Sequence, residues 1–231
     1  MVVLYADLGH RGGMSKIQAV LFDFDGTMMD TEWVIYEEVQ RIFHDEGQEL
    51  PLEEYAKCIG SSYEAWSPQT YLEELTGKTY DWETLRAARN KRIRARMAEQ
   101  PLFPGVIQAL EAVQSAGLRL AVVSSSSHEW VDGWLEHHGI THYFEHVVCR
   151  GDAPAIKPAP DLFLKGADLL ALPPEACLVV EDSVNGLTAA HTAGMPVVAV
   201  PNRITTVCDF SPAEAQLESL RQFPAQLAQF L

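Results

Sequence analysis

An apolar run that ends at two carboxylates is the feature that most constrains this chain. Residues 19–22 are all apolar, and Asp23 and Asp25 follow within three positions. A parallel strand buried inside an α/β sheet is a nearly continuous apolar run, and ligands of such sheets bind just beyond the carboxyl ends of the strands. The sequence therefore predicts a buried strand over residues 17–23, with two acidic side chains placed where chemistry would occur.

A regular alternation of strand-like and helical patterns follows Gly105. The predicted strands cover residues 118–123, 144–149, 177–180 and 196–200, and the predicted helices cover residues 106–116, 129–138, 162–170 and 186–193. Such alternation is typical of parallel strands joined by right-handed crossovers, with helices on both faces of the sheet. We therefore expect an α/β fold, with helical turns in residues 211–231 packed at its edge.

A helical insertion interrupts this pattern directly after the acidic segment. Between residues 31 and 100 apolar positions recur at helical spacing, and no segment has a convincing strand pattern. The predicted helices of the insertion cover residues 31–46, 51–59, 63–75 and 82–99. We predict a core of residues 14–29 and 102–231, a helical cap of residues 30–101, and an N-terminal extension of residues 1–13 that precedes a second methionine.

An acidic composition narrows the range of partners. Seventeen Lys and Arg residues against 32 Asp and Glu residues give a formal net charge of −15, which repels phosphate backbones and anionic membrane surfaces. No apolar run approaches the ~18 residues that a membrane span needs. The four cysteines lack the paired spacing of a disulfide or zinc framework. We therefore expect a cytoplasmic monomer that binds neither nucleic acid nor membranes.

Three of the predicted strands terminate in carboxylate or hydroxyl side chains. These side chains are Asp23 and Asp25, Ser124 and Ser125, and Glu181 and Asp182. In a parallel sheet they converge on one edge, where four carboxylates would raise one another's pKa values unless a cation neutralised them. Oxygen ligands of this charge suit Mg²⁺. The alternative is that the carboxylates are unrelated and only cap the helices that follow.

The serines and a lysine are candidates for binding a phosphate group. Ser124 and Ser125 precede a predicted helix, where hydroxyls and backbone N–H groups suit a phosphate oxygen. Lys157 follows the third predicted strand and offers a point charge that could bind phosphate and balance the acids. Taken singly, a serine run is more often an ordinary loop and a lysine more often a solvated residue, so these alternatives stay open.

Four segments together resemble, in order, the four motifs of the haloacid dehalogenase superfamily. They are Asp23-Phe24-Asp25-Gly26-Thr27, Val122-Val123-Ser124-Ser125, Lys157-Pro158-Ala159-Pro160-Asp161 and Glu181-Asp182-Ser183-Val184-Asn185-Gly186. The resemblance spans residues 16–210, and the helical insertion after the first motif is similar to that of the β-phosphoglucomutase-like branch. It implies a Rossmann-like parallel sheet core with an inserted α-helical cap that closes over the site.

The resemblance also implies a role for each of these residues. Asp23 would be the nucleophile that forms an aspartyl-phosphate, and Asp25 would protonate the leaving alcohol and then deprotonate the attacking water. The implied Mg²⁺ ligands are Asp23, the backbone carbonyl of Asp25, Asp182 and, directly or through water, Glu181. The implied phosphate-binding residues are Ser124, Ser125 and Lys157. The enzyme would be a phosphatase for a small phosphorylated metabolite, such as a sugar phosphate.

A phosphosugar mutase is the first alternative to a phosphatase. In β-phosphoglucomutases, by resemblance, a histidine and an arginine of the cap help to hold a bisphosphorylated sugar, whereas this chain has Ile35 and Tyr63 at those positions. Neither side chain replaces a basic contact to a second phosphate, so hydrolysis is favoured. A non-catalytic binding protein of the same fold is a further alternative, which the intact acidic motifs disfavour.

Two other groups of residues are predicted to be structural. The basic residues between Arg86 and Arg96 spread around their helix, which favours a solvated surface. Trp130 and Trp134 recur at helical spacing, which is more typical of core packing than of a substrate pocket.

Overall fold

A six-stranded parallel sheet lies at the centre of the computed structural model, which describes residues 16–59 and 66–231. The strands are β1 (Ala19–Phe22), β2 (Arg119–Val123), β3 (His146–Val148), β4 (Cys177–Glu181), β5 (Val197–Ala199) and β6 (Ala215–Gln216). Their spatial order is β3-β2-β1-β4-β5-β6, and every neighbouring pair is parallel. The predicted α/β class is confirmed, and β1 lies in the interior of the sheet between β2 and β4.

The described residues contain nine α-helices. They are α1 (Thr31–Asp45), α2 (Leu52–Tyr55), α3 (Pro68–Thr76), α4 (Trp82–Met97), α5 (Val106–Ser115), α6 (His128–His137), α7 (Asp161–Leu169), α8 (Val184–Thr192) and α9 (Phe223–Leu227). Short 3₁₀ turns cover Ala56–Cys58, Thr141–Tyr143, Pro174–Ala176, Thr205–Val207 and Leu220–Gln222. Within residues 16–59 and 66–231, no helix combines the length and the apolar character that crossing a membrane would require.

The alternating side chains of β1 bury two cores, one on each face of the sheet. Val20 and Phe22 belong to the core that includes α5, α6 and α9, whereas Ala19 and Leu21 belong to the core that includes α7 and α8. Each of these four residues is at most 1% exposed. Full burial of a side chain such as Val or Leu contributes about 1.5–3 kcal/mol. The strand is therefore held firmly, and the residues that follow it are placed at the carboxyl edge of the sheet.

The insertion after β1 has a small core of its own. Among the described residues, its buried side chains include Tyr36, Phe43, Tyr55 and Leu72. Glu38 of α1 is buried, and its carboxylate accepts hydrogen bonds from Arg92 (2.6 Å) and Arg96 (3.2 Å) of α4. A buried carboxylate needs such partners because its desolvation is costly. Part of the basic run therefore joins two helices, and the prediction of a solvated surface is wrong for these two arginines.

The described part of the insertion is helical, but one helix begins later than predicted. Helix α3 begins at Pro68, and the hydroxyl of Ser67 caps it by accepting a hydrogen bond from the backbone N–H of Thr70 (3.1 Å). Proline suits a first helical turn because it lacks an N–H that would need a partner there. Within the described residues from 31 to 100 there is no strand. Residues 60–65, which include Gly60 and Tyr63, and the extension over residues 1–13 lie outside the described residues.

The C-terminal segment contains the predicted helical turns, over Leu220–Gln222 and Phe223–Leu227, and also a strand that was not predicted. Ala215 and Gln216 form β6, which pairs in parallel with β5 at one edge of the sheet, and α9 follows. A strand of two residues is too short to show an alternating pattern. Phe223 of α9 packs edge-on against Phe22 of β1, with the ring centroids 5.6 Å apart. The segment therefore completes the core instead of only covering its edge.

Candidate active site

A cavity of about 870 Å³ lies between the carboxyl edge of the sheet and the helical insertion. On the sheet side it is lined by Asp23, Asp25, Ser124, Ser125, Lys157 and Asp182. On the insertion side it is lined by residues that include Glu32, Ile35, Ile59, Arg89 and Arg94. The predicted site residues therefore meet at one cavity, except for Glu181, which is buried behind Lys157.

Three carboxylates form the acidic centre of the site. Oxygen atoms of Asp23, Glu181 and Asp182 all lie within 4.8 Å of one another, and the three residues are 6%, 1% and 1% exposed. Buried anions at this spacing repel one another, and a cation relieves that repulsion. A set of hard oxygen donors fits Mg²⁺. The side chain of Asp25 is not a member of this group, so its metal contact through the backbone carbonyl stays a prediction.

The acidic centre holds more negative charge than its surroundings neutralise. Burial raises the pKa of Asp23 to about 8, since the nearby ammonium of Lys157 only partly opposes the loss of hydration. Burial also raises the pKa of Asp182, and the charges of Glu181 and Asp23 add to this effect. A divalent cation favours the ionised form of the carboxylates that it contacts. The centre is therefore well suited to binding one.

Lys157 is the cation that the fold itself provides. It is 1% exposed, and its Nζ donates hydrogen bonds to Oδ1 of Asp23 (2.5 Å) and Oε1 of Glu181 (2.7 Å). A third hydrogen bond goes to the backbone carbonyl of Val123 (2.8 Å). Burial alone would lower the pKa of Lys157, but the two carboxylates outweigh it, and the pKa is raised. The ammonium therefore stays charged beside the predicted nucleophile.

Glu181 organises the site from behind the cavity. While its Oε1 accepts the hydrogen bond from Lys157, its Oε2 accepts from the backbone N–H groups of Asp182 (2.9 Å) and Ser183 (2.8 Å). The hydroxyl of Ser183 donates to the same oxygen (2.9 Å). These N–H groups lie at the start of α8, where a negative charge is favoured because the groups lack helical partners. Glu181 therefore connects the Lys157 ammonium to the N-terminus of α8 through hydrogen bonds.

Gly186 leaves the space that the Glu181 carboxylate occupies. A Cβ atom at position 186 would lie 1.7 Å from Oε1 and 1.9 Å from Cδ of Glu181. We expect Gly186→Ala to displace Glu181 and the Lys157 ammonium that it holds, lowering the free energy of unfolding by about 1–3 kcal/mol. Thermal unfolding with and without Mg²⁺ measures the loss, and the stabilisation by Mg²⁺ should also shrink.

Gly133→Ala is the matched control for this substitution. Gly133 lies in α6, and outside its chain neighbours and the backbone of its own helix no atom lies within 4 Å of a Cβ atom added there. Alanine is favoured over glycine in a helix by up to ~1 kcal/mol, so this variant should be at least as stable as the parent. Equal unfolding temperatures for the two variants would contradict the role given to Gly186.

Asp25 is held apart from the acidic centre by neutral donors. The hydroxyls of Ser126 (2.6 Å) and Ser124 (3.2 Å) donate hydrogen bonds to its Oδ2. The indole N–H of Trp130 donates to its Oδ1 (2.8 Å). Trp130 does pack against the core, as predicted, but the prediction that it only packs there is wrong. A tryptophan N–H usually has a polar partner, and the position of Trp130 just after the serine run was the available signal.

The serine segment lies along the wall of the cavity. Ser124 is 1% exposed, and its hydroxyl accepts a hydrogen bond from the backbone N–H of Ser126 (3.0 Å). The backbone carbonyl of Ser125 accepts one from the side chain of Arg150 (2.9 Å). In this turn the hydroxyls of Ser124 and Ser126 lie beside Asp25. Phosphate binding by Ser124 and Ser125 stays a prediction.

Asn202 is a site residue that sequence reasoning missed. Its side-chain amide donates hydrogen bonds to Oδ2 of Asp182 (2.7 Å) and to the backbone carbonyl of Gly26 (3.2 Å). Gly26 has a φ of 78°, and a Cβ atom there would lie 2.4 Å from Oδ2 of Asp182. A glycine is needed for both reasons. No local pattern marks Asn202, because it reaches the site only through the loop after β5.

The insertion contributes cations to the cavity. Arg89, Asn90 and Arg94 of α4 line it. Asn90 and Arg94 are exposed, as predicted for a solvated surface, but this surface also forms one wall of the cavity. Asn90 and Arg94 are four residues apart and therefore share a helix face, a spacing that could have been read from the sequence. Arg94 also forms an ion pair with Glu129 of α6 (2.5 Å). The insertion and the core therefore meet beside the cavity.

Proteins of similar sequence give this geometry a context. YhcW of Bacillus subtilis (strain 168), whose name classes it provisionally as a phosphatase, is 40% identical over 211 residues, which are 91% of this chain and 96% of YhcW. A phosphoglycolate phosphatase of Nitrosospira multiformis is 31% identical over 192 residues, which are 80% of this chain and 83% of that protein.

A solved structure and a family pattern complete the comparison. A variant of CbbY from Rhodobacter sphaeroides, in complex with xylulose-1,5-bisphosphate, superposes with a TM-score of 0.72 at 26% identity. The match covers 89% of this chain and 96% of CbbY. The pattern of the haloacid dehalogenase-like hydrolases matches residues 20–200. With the four motifs gathered at one cavity, the chain belongs to the haloacid dehalogenase-like hydrolase family.

Proposed function

We propose that this protein is a Mg²⁺-dependent phosphatase that hydrolyses a small phosphomonoester, such as a sugar phosphate, through an aspartyl-phosphate intermediate. The observation that carries the proposal is that Asp23 and Asp25, two residues apart, have different kinds of hydrogen-bond partner. Asp23 lies beside Lys157 in the acidic centre, while Asp25 is held by neutral donors. One carboxylate is thus suited to attack and the other to move protons. Relatives that are named as phosphatases support the reaction class.

The reaction would proceed in two displacements. In the first, an oxygen of Asp23 bonds to phosphorus, the bond from phosphorus to the ester oxygen breaks, and Asp25 gives its proton to the leaving oxygen. An alcohol departs, and the phosphoryl group remains on Asp23. In the second, water bonds to phosphorus, the bond to Asp23 breaks, and Asp25 takes a proton from the water. Inorganic phosphate leaves, and both carboxylates return to their starting states.

Donors on the sheet side would hold the transferring group. Lys157 would contact an oxygen of the phosphoryl group, where negative charge spreads in the transition state, and Ser124 and Ser125 would add hydroxyl or backbone donors. These donors are already fixed by burial and hydrogen bonds. Because the three N–H groups of the Lys157 ammonium already have acceptors, one of these hydrogen bonds would be exchanged for one to the phosphoryl oxygen.

The acidic centre would hold the metal ion. The ligands would be the carboxylates of Asp23 and Asp182 and the backbone carbonyl of Asp25. Contact of Glu181 through water is favoured over direct contact, because both of its oxygens already accept hydrogen bonds. When bound, the cation offsets the negative charge of the carboxylates and the phosphate.

The walls of the cavity support a small polar substrate. On the insertion side the cavity is lined by apolar Ile35 and Ile59 and by polar Arg89 and Asn90. Asn185 of α8 donates a hydrogen bond to the backbone carbonyl of Ile59 (2.6 Å), which joins the two walls. An alcohol rich in hydroxyl groups would find both donors and apolar contact there.

A phosphosugar mutase is the second candidate, and Arg89 and Arg94 are the observation that favours it. Both arginines line the cavity and could meet a second phosphate, a contact that Ile35 cannot provide. A mutase must nevertheless return the phosphoryl group to the sugar before water attacks it. We keep hydrolysis as the proposal, since the relatives named as phosphatases match this chain at 31–40% identity.

The test is release of inorganic phosphate from p-nitrophenyl phosphate and a panel of sugar phosphates. We expect turnover with Mg²⁺, its loss when EDTA is added, and its return when Mg²⁺ is restored. Failure to release phosphate from any ester in the presence of Mg²⁺ would contradict the proposal. A coupled assay with β-glucose 1-phosphate separates the candidates, because a mutase would form glucose 6-phosphate faster than inorganic phosphate.

A further inference from the structure

We infer that Trp130 is a positioning residue for Asp25: the indole N–H of Trp130 binds one carboxylate oxygen of Asp25 and so fixes the orientation of the carboxylate. The inference rests on the proposed function, because it names a residue that prepares the proposed proton carrier. It concerns a side chain outside the four motifs.

The position of Trp130 suits this role. The residue lies in the first turn of α6 and lines the cavity while half-buried. Its Nε1 is 2.8 Å from Oδ1 of Asp25. The ring of Trp134 packs edge-on against it, with the centroids 5.6 Å apart and the planes at 80°. The indole is therefore held in place on one side by a second aromatic ring, and its N–H is aimed at the carboxylate.

The two oxygens of Asp25 face different kinds of partner. Oδ1 faces an indole N–H, which can only donate a hydrogen bond. Oδ2 faces the hydroxyls of Ser126 and Ser124, which can donate to an ionised oxygen or turn to accept from a protonated one. The three donors thus hold both oxygens of the Asp25 carboxylate. Trp130 therefore fixes the Oδ1 side of the carboxylate, and with it the direction in which the proposed proton carrier faces the cavity.

No charged side chain among the described residues donates a hydrogen bond to Asp25. Lys157, the buried cation of the site, binds Asp23 and Glu181 instead. The orientation of the Asp25 carboxylate consequently depends on its neutral donors. Hydrogen bonds to a charged group contribute more than neutral ones, so removal of the indole donor should free the carboxylate to rotate.

Two aryl phosphates that differ only in a para-nitro group test this role. p-Nitrophenolate leaves phosphorus without a proton because it is a stable anion, whereas the less stable phenolate of phenyl phosphate needs an acid. We expect Trp130→Phe to lower kcat/KM for phenyl phosphate about tenfold, within the range that general acid catalysis supplies. The same variant should lower kcat/KM for p-nitrophenyl phosphate less than about twofold, because Asp25 has little to protonate there.

Trp134→Phe is the matched control, since the same change is made one helical turn away. Trp134 contacts Trp130 but is not a lining residue of the cavity, and the variant should leave the ratio of the two kcat/KM values at the parent value. Equal losses on both esters for Trp130→Phe would overturn the inference alone, because a purely structural role predicts them. No turnover of either ester by the parent with Mg²⁺ would overturn the proposed function and this inference with it.

Discussion

Asp23→Asn should lower kcat by at least about 10⁴-fold and leave the fold intact. The amide matches the carboxylate in shape but cannot displace an alcohol from phosphorus. The folded state of the variant should be about as stable as the parent. Burial already disfavours the charged form of Asp23 and raises its pKa to about 8, so little stabilisation is lost with the charge. Lys157 would also keep its hydrogen bonds to Glu181 and to the carbonyl of Val123. Phosphate release at saturating Mg²⁺ and thermal unfolding measure the two effects.

Asp182→Asn separates loss of the nucleophile from loss of the metal. Asp182 belongs to the same acidic centre, but its substitution leaves Asp23 able to attack. The activity of Asp182→Asn should recover in part as the Mg²⁺ concentration is raised, whereas the activity of Asp23→Asn should not. When the parent enzyme is quenched with acid during turnover of a phosphate ester, its intact mass should show one added phosphoryl group. Asp23→Asn treated in the same way should show none. Activity of Asp23→Asn equal to that of the parent would remove the nucleophile assignment.

Lys157→Met should destabilise the protein by about 3–5 kcal/mol, the typical cost of leaving buried charges without a partner. Methionine keeps the apolar stem, but Asp23 and Glu181 would lose the ammonium that lies 2.5 and 2.7 Å from them. Phosphate turnover should fall by at least about 10²-fold, because a fixed donor to the phosphoryl oxygens is lost. Thermal unfolding in EDTA and phosphate release in Mg²⁺ measure the two losses.

The pH dependence of Lys157→Met follows from the sign of the pKa shifts. In the parent the pKa of Lys157 is raised, so its stabilisation is present throughout the neutral range and is lost only in strong alkali. In the variant Asp23 lacks its cation, and its raised pKa means that the folded state binds more protons than the unfolded state. Without Lys157, which lowers the pKa of Asp23 in the parent, that pKa should lie above its parent value. The variant should therefore lose stability as the pH rises above about 4, and the loss should continue to higher pH than in the parent.

Lys165→Met is the control for a lost lysine. Lys165 lies on α7, its side chain is 39% exposed, and its ion pair with Asp168 is 3.9 Å long. An exposed pair contributes about 0–1 kcal/mol, so this variant should unfold within a few degrees of the parent at every pH. Similar unfolding temperatures for the two lysine variants would mean that the buried ammonium is not needed for stability.

The sheet and the predicted site residues could be predicted from the sequence because they depend on local patterns, such as apolar runs and helix caps. A buried parallel strand must be apolar, so the run before Asp23 marks β1, and helices with clear caps mark the crossovers. Once the strands are parallel, their carboxyl ends share an edge, which brings Ser124 and Asp182 to Asp23. Strand β6 was not predicted, because a strand of two residues is too short to show the alternation of apolar and polar side chains that identifies strands.

Contacts between distant segments were beyond the sequence. Trp130 and Asn202 are 105 and 176 residues from their partners Asp25 and Gly26, and no periodicity records such a pairing. The space that Gly186 leaves for Glu181 is also a property of packing.

The sequence by itself determined the fold class and the acids at the end of β1, because burial and chain direction follow from the order of residue types. Only the tertiary structure decided how the charges are shared. In the folded protein the Lys157 ammonium donates a hydrogen bond to Asp23, whereas Asp25 accepts hydrogen bonds from neutral donors. The tertiary structure also turned one face of a basic helix toward the cavity. The physical reason is that hydrogen bonding and desolvation depend on distances in space, which side chains far apart in the sequence acquire only when the chain packs.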